Sequence, residues 1–122
     1  MKSELIERLT VFGSKVIELA KSFGKEIFLQ SIKNQLIKSA TSIGANYQEA
    51  QFASSKPDFI NKLHIAVKEL AETHYWLNLI DKSNLIKNQT EFLRQLMQES
   101  EELRKILTSS ILTAKNNLKQ GK

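Results

Sequence analysis

Residues 32–51 read IKNQLIKSATSIGANYQEAQ, and this stretch decides the fold because apolar residues recur in it every three or four positions. Together with Leu29, which precedes the stretch, these residues form an apolar stripe: Leu29, Ile32, Leu36, Ala40, Ile43, Tyr47 and Ala50. Such spacing places these side chains on one face of a helix. Gly44 has no side chain and destabilises the interior of that helix by about 1 kcal/mol relative to alanine. We therefore expect another helix to approach closely at Gly44, with Asn46 and Glu49 making polar contacts along the seam.

The same periodicity occurs on both sides of this stretch. Ser55 is predicted to be an N-cap, because Pro57 and Asp58 follow it in the first turn of the next apolar repeat. Four amphipathic helices with short connections predict an all-α fold, an antiparallel up-down-up-down four-helix bundle with long helices. We expect a single four-helix-bundle domain over residues 1–122, with helices at about 3–22, 26–53, 56–81 and 89–118.

Composition excludes several classes of protein. The chain has no cysteine, which rules out disulfides, thiolate chemistry and cysteine-ligated zinc. It has no apolar run of about 18 residues, so we expect no membrane contact. The N-terminal sequence MKSELIERLT is amphipathic and carries two acidic residues, which differs from a signal peptide. A cytoplasmic location is the expectation.

The net charge of +5 is concentrated near the C-terminus. Residues 1–103 contain 13 basic and 13 acidic residues and sum to zero, whereas residues 104–122 contain five basic residues and no acid. This basic segment is suited to an anionic partner such as nucleic acid. It is equally suited to the last turns of a helix, where the helix dipole favours cations. The sequence leaves both interpretations open.

The residues that carry catalysis or bind metals are sparse. His64 and His74 both lack the glutamate three positions earlier that helical metal sites of the Glu-x-x-His type require. Glu49, Glu69 and Glu72 are the best acid–base candidates, but carboxylates act in this way only in a concave, desolvated site. A polar network between helices or a solvated face explains them as well. We therefore expect no enzymatic activity, no catalytic residues, no bound metal and no cofactor.

Helices 2 and 3 carry apolar or small residues on more than one face, which favours self-association. The residues expected in such a contact are Ala45, Ala53, Ile60, Val67 and Trp76. Tyr47, Tyr75 and Trp76 are the aromatic residues that could stack on bases. On amphipathic helices, however, aromatic residues more often belong to the core or to subunit contacts.

Two runs in the centre of the chain resemble a known family. They are QLIKSATSIGANYQEA at 35–50 and SSKPDFINKLHIAVKELAETHYWL at 54–77. They are similar to the four-helix-bundle proteins encoded in intervening sequences of bacterial large-subunit rRNA genes, a group that includes the accessory variability determinant of diversity-generating retroelements. The family pattern S-x-x-S-I-x-x-N-x-x-E is matched by Ser39, Ser42, Ile43, Asn46 and Glu49. Its continuation is matched by Ser55, Phe59, Leu63, Ala66, Glu69 and Glu72.

The resemblance implies a ring-like homopentamer with a basic surface, and the retroelement members bind a reverse transcriptase and nucleic acid. The motif or interface positions implied here are Ser39, Ser42, Asn46, Glu49, Glu69, Glu72 and Trp76. Our first hypothesis is a non-enzymatic homo-oligomeric bundle that acts as a binding or scaffolding module for RNA or a ribonucleoprotein. The phosphate contacts would come from Lys33, Lys38, Arg104, Lys105, Lys115 and Lys119. The alternative is a protein–protein adaptor for a partner enzyme, such as one that acts on nucleic acid, with no nucleic-acid contact of its own.

Overall fold

The computed structural model of the protein describes residues 2–121, and between these residues it contains four α-helices and no strand. The predicted all-α, antiparallel up-down-up-down bundle with long helices is confirmed. The helices are α1 (Lys2–Ala20), α2 (Ile27–Ala50), α3 (Lys56–Lys82) and α4 (Thr90–Lys119).

The four helices pack in a ring of neighbours around one apolar core. α2 contacts α1 and α3, and α4 contacts α3 and α1, while among the described residues no Cα atoms of the diagonal pairs lie within 8 Å of each other. Each helix turns its apolar stripe to the centre. The largest side chains shielded there are Leu9, Phe12, Leu19, Leu36, Ile43, Leu63, Leu70, Leu77, Ile80, Leu93, Leu103 and Leu107.

The connection between α2 and α3 follows the predicted chemistry with one difference. Ser55 is the N-cap of α3, and its Oγ accepts a hydrogen bond of 3.2 Å from the backbone N–H of Asp58. Regular α2 ends at Ala50, three residues before the predicted end. The next three backbone N–H groups, those of residues 51–53, each donate to the carbonyl three residues earlier. Such i to i−3 bonds tighten the last turn and satisfy carbonyls that would otherwise lack partners.

The close approach expected at Gly44 is confirmed, and the approaching helix is α1. A Cβ atom built on Gly44 would lie 3.6 Å from Cβ of Leu9, and one built on Gly13 would lie 3.6 Å from the carbonyl oxygen of Ala40. Both distances are ordinary van der Waals contacts. The glycines therefore let the backbones of α1 and α2 approach at their crossing, with room for no more than a methyl group between them.

One expectation about an individual side chain is wrong. Ile60, predicted to lie on a second surface off the seam, is 8% exposed and belongs to the core, because α3 packs against both α2 and α4 and buries a wide arc. Tyr47 is buried in the core, as its place on the apolar stripe predicts, so it cannot stack on a base. Among the other residues expected in self-contact, Ala53, Val67 and Trp76 are half-buried and Ala45 is exposed.

The second half of α4 extends beyond the start of α1. Arg8 of α1 pairs with Glu99 of α4, and Lys2 lies six residues before Arg8. Because the helices are antiparallel, Lys2 is level with α4 residue 105 (99 + 6). Residues 106–119, about 21 Å of helix, therefore extend past the described start of α1, and Ala114 and Asn117 line a cavity together with residues around the α2–α3 connection. This segment carries Lys115 and Lys119, two of the five basic residues of the C-terminal region.

Candidate functional site

The motif residues of α2 divide between the core and the surface. Ser39 faces inward and is buried, and its Oγ lies 2.8 Å from Oγ1 of Thr73 on α3. Each hydroxyl also lies near a carbonyl of its own helix, that of Leu36 for Ser39 and that of Glu69 for Thr73. The pair therefore satisfies two buried polar groups and links α2 to α3. Ser39 is a packing residue and has no access to a ligand.

The other motif residues of α2 line its border with α3. Ser42 donates to the carbonyl of Lys38 at 2.7 Å, and the amide of Asn46 donates to the carbonyl of Ser42 at 2.8 Å. Glu49 reaches across to α3, where Nζ of Lys62 lies 3.1 Å from its Oε1. The expected polar seam therefore exists, although only Glu49 crosses it. Lys62, which completes the pair, is a partner that the sequence pattern did not single out.

Glu69, Glu72 and Trp76 continue this border along α3. Nε1 of Trp76 donates to Oε2 of Glu72 at 3.0 Å. Partial burial raises the pKa of Glu69, the nearby charge of Glu72 raises it further, and Lys38 opposes both effects. The cavities described in the structure are lined by other residues. The Glu72 carboxylate therefore bonds within α3, and the geometry of these carboxylates gives no support to acid–base catalysis.

A serine–histidine pair between α3 and α4 escaped the sequence patterns. Oγ of Ser100 donates to the carbonyl of Met97 at 2.7 Å and lies 2.8 Å from Nδ1 of His74, which is placed to donate to it. Oε1 of Glu101 is 3.9 Å from the same nitrogen. Ser100 is only 1% exposed, so no substrate can reach its hydroxyl. His74 and Ser100 are 26 positions apart in sequence, and they meet because of the way α3 and α4 are aligned. No local spacing in the sequence reveals such a pair.

Residues 2–121 contain no cluster of three His, Asp or Glu side chains that could hold a metal ion. The two histidines, His64 and His74, lie on α3 ten residues apart. Ten residues correspond to about 15 Å along the helix axis. That separation prevents the two rings from sharing an ion.

The basic residues of α4 form a continuous exposed face. Lys105, Lys115 and Lys119 recur at helical spacing, with Thr108 and Leu112 between them, and all five side chains are exposed. We call these five residues the α4 basic face. Leu112 at its centre is 58% exposed. Lys122, the remaining basic residue of this region, lies outside the described residues.

Acidic side chains form ion pairs only with the cations at the N-terminal end of this face. Arg104, beside the face, pairs with Glu101 at 3.1 Å, and Lys105 pairs with Glu102 at 3.8 Å. Arg104 holds the pKa of the Glu101 carboxyl below its usual range. Across the described chain, no acid lies within ion-pairing distance of Lys115 or Lys119. Within this face, these two lysines are therefore the cations available to a phosphate without loss of an ion pair.

The remaining candidates for nucleic-acid contact lie on another helix. Lys33 is half-buried and Lys38 is exposed, and both belong to α2. Lys38 acts electrostatically on Glu69 of α3. α2 and α4 are diagonal in the bundle, and no Cα atom of one lies within 8 Å of a Cα atom of the other in the described range, so the six predicted residues form two separate groups. The α4 group is the candidate nucleic-acid interface, since Lys115 and Lys119 are both exposed, lie one turn apart and have no ion pair within the described chain.

None of the helices in the described range is long and apolar enough to cross a bilayer. The sequence profile of the 23S rRNA-intervening sequence proteins matches residues 1–109. A crystal structure from Bacteroides thetaiotaomicron, described as a protein of unknown function from the S23 ribosomal protein family, is 38% identical to this chain. The two align with a TM-score of 0.81 over 91% of this chain and 98% of the other. No curated protein matches the sequence.

Proposed function

Since this chain belongs to the family of 23S rRNA-intervening sequence proteins, we propose that it is a non-enzymatic, homo-oligomeric bundle that binds RNA or a ribonucleoprotein as a scaffolding module in the cytoplasm. A homopentameric ring, as the family resemblance implies, is the assembly we propose. The observation that carries the RNA contact is the α4 basic face, which from Thr108 onward lies on the helix segment that extends past the described start of α1.

The chemistry of this face suits phosphate more than base recognition. Lysine side chains on an exposed helix contact phosphates and fix orientation without reading sequence. Lys115 and Lys119 lie one turn apart, or about 6 Å, so both can engage one strand. A phosphate at Lys105 or Arg104 must first displace an ion pair on the same helix, and such exposed pairs contribute little to stability. We therefore expect sequence-independent binding that depends strongly on salt.

The test is a titration of fluorescently labelled single-stranded RNA with the wild-type protein and a Lys115→Gln/Lys119→Gln variant. Each phosphate contact contributes about 0.7 to the slope of log affinity against log salt for a single strand. The variant should bind more weakly and lose a slope of about 1.4 for each subunit that contacts the strand. A Lys25→Gln/Lys87→Gln protein is the matched control, because it loses two exposed lysines at the other end of the bundle.

Absent or salt-insensitive binding by the wild-type protein would remove nucleic acid from the proposal. Equal losses in the variant and in the control would show that net charge matters and that the α4 basic face does not. Circular dichroism of all three proteins checks that the helices are retained.

A second candidate function is a protein–protein adaptor, and an aromatic pair on α3 favours it. Tyr75 is 57% exposed and meets Trp76 edge to face, with ring centroids 5.2 Å apart. Exposed tyrosine and tryptophan are enriched in protein interfaces. If this function holds, a partner enzyme bound to the wild-type protein should stay bound after nuclease treatment and be released by Tyr75→Ala. Release by nuclease alone would return the assignment to RNA.

A further inference from the structure

A cavity lies where the chain turns from α2 into α3 and the second half of α4 passes beside the turn. Its volume is about 300 Å³, at the lower end of the range for small-molecule pockets. We propose that this cavity, which we call the α2–α3 turn cavity, receives one unpaired base of the RNA whose phosphates contact the α4 basic face. The proposal rests on the RNA contact of the preceding section and adds a base to that contact.

The apolar part of the lining suits the flat faces of a base. Phe59 of α3 is half-buried there, and Ala50, Ala53 and Ala114 complete this part. Proteins hold unpaired bases by stacking them on aromatic side chains, and such stacking accepts any base because every base has a π-face. The three small alanine side chains leave space beside the ring of Phe59 for a flat ligand.

Gln51 contributes an acceptor that has no hydrogen-bond partner. Its Nε2 donates to the carbonyl of Tyr47 at 3.1 Å, and this bond fixes which end of the amide is the oxygen. Burial raises the pKa of Tyr47 and hydrogen bonding from Gln51 lowers it, which is again the action of the amide donor. Oε1 of Gln51 is buried and accepts no hydrogen bond within the described residues.

A base can supply the missing donor. A buried acceptor without a partner is destabilising, and in a native fold it calls for a specific explanation. Every nucleobase carries an N–H group on its Watson–Crick edge, and proteins that bind single strands use this edge. Oε1 is shielded from solvent in the free protein, so the half-buried side chain of Gln51 must shift toward the cavity to accept this hydrogen.

The remaining lining provides donors for the acceptor atoms of a nucleotide. Oγ of Ser55 accepts the capping bond from the N–H of Asp58, and its own O–H donates to no group within the described residues. Lys56 and Asn117 also line the cavity, and neither side chain has a hydrogen bond or ion pair in that part of the chain. An apolar wall with a few convergent polar groups is typical of a small-ligand site.

The position of the cavity connects it to the phosphate contacts. Ala114 and Asn117 line it from α4, and Lys115 and Lys119 occupy the exposed side of the same two turns. Consecutive Cα atoms are only about 3.8 Å apart. One nucleotide can therefore place its base in the cavity while the neighbouring phosphates reach the two lysines. The lysines alone would bind any polyanion, whereas the cavity favours one that carries bases.

The experiment compares two strands of equal charge: a short oligouridylate and the same ribose-phosphate backbone without bases. Both present the same phosphates, so a difference in affinity reports the bases. Ala114→Leu fills the cavity, and Ala71→Leu is the matched control, because Ala71 is an exposed alanine of α3 outside the cavity. Circular dichroism checks the fold of each variant.

We expect the wild-type protein to bind the oligouridylate at least about fivefold more tightly than the abasic strand, the gain from stacking one base. Ala114→Leu should bind both strands with the wild-type affinity for the abasic strand and an unchanged salt slope. Ala71→Leu should keep the wild-type preference. Oligo(3-methyluridylate), whose bases lack the N–H, should lose part of the preference with the wild-type protein. Gln51→Leu should bind the methylated and unmethylated strands alike, and this result decides the question if Ala114→Leu does not fold.

Equal affinity of the wild-type protein for the oligouridylate and the abasic strand would overturn the base contact while the lysine contacts stand. A preference that survives Ala114→Leu, or is lost equally in Ala71→Leu, would overturn its location. Indifference of the wild-type protein to methylation would overturn the role of Gln51. Uridine monophosphate that displaces the strand at equal concentration would assign the cavity to free nucleotides instead. Absence of binding to both strands at low salt would overturn this proposal and the proposed RNA contact together.

Discussion

Replacing Thr73 with valine should remove the hydroxyl that joins α3 to Ser39 while keeping the shape of the side chain. Oγ1 of Thr73 is 2.8 Å from Oγ of Ser39, and Ser39 retains the carbonyl of Leu36 at 3.2 Å as a second partner. No buried group is therefore orphaned, and the expected loss is that of one hydrogen bond, about 1 kcal/mol. For a chain of this length, that corresponds to a fall of about 4 °C in Tm.

The assay is a double-mutant cycle in chemical denaturation, with Thr73→Val, Ser39→Ala and the double variant. Because both single substitutions break the same bond, the double variant should lose less than the sum by about 0.5–1 kcal/mol. Ser42→Ala is the control: its hydroxyl bonds only within α2, and alanine favours helix, so stability should stay within about 0.5 kcal/mol of wild type. Strict additivity, or an effect of Ser39→Ala on RNA binding with stability intact, would refute the assignment of Ser39 to packing.

Three further predictions concern stability. Glu69→Gln should raise Tm at neutral pH. The pKa of Glu69 is raised in the folded state, so the wild-type protein loses stability as the pH rises from 4.5 through the folded pKa, and glutamine avoids that loss. Melts below pH 4.5 should show no gain. Gly44→Ala should stabilise by about 0.5–1 kcal/mol in urea, since a methyl group fits there, and a loss would mean that the crossing tolerates no Cβ. Arg8→Gln breaks the bidentate pair with Glu99, at 2.8 Å for both contacts, and should cost about 0.5–1 kcal/mol at low salt and less at high salt; an undiminished loss would assign the effect to packing.

The number, direction and neighbours of the helices follow from the sequence because the apolar repeats are long and uninterrupted. Ser55 shows how a local signal can be read directly, since its capping bond to Asp58 involves residues three apart. The end of α2 is different, because the tightened turn after Ala50 depends on how the chain enters α3. Ile60 was predicted to lie outside the core because the periodicity of α3 indicates only the centre of its buried face. The width of that face is set by the two helices that pack against α3.

The candidate site was predictable only in part. The motif spacing indicates which residues share the border of α2 and α3, but not that Ser39 turns inward to Thr73. The basic face of α4 is visible in the sequence as cations at helical spacing. Its separation from Lys33 and Lys38 is not, because that separation follows from the diagonal placement of α2 and α4.

Lys115 and Lys119 lie beyond residue 109, where the match to the family profile ends. The two lysines of the α4 basic face that have no ion pair within the described chain therefore belong to a part of α4 that the profile does not describe. A family member without such a segment is expected to bind RNA more weakly at the same salt concentration. The proposed RNA contact therefore depends on the C-terminal part of α4 in this chain and can be tested separately from the bundle that the family shares.

Ultraviolet cross-linking of bound RNA, followed by mass spectrometry of the modified peptides, tests the proposed contact most directly. Cross-links confined to residues 104–121 and to the lining of the α2–α3 turn cavity are the predicted result, and they should disappear in the Lys115→Gln/Lys119→Gln protein. Cross-links centred on α2 around Lys33 and Lys38 would contradict the account, as would their persistence in that variant.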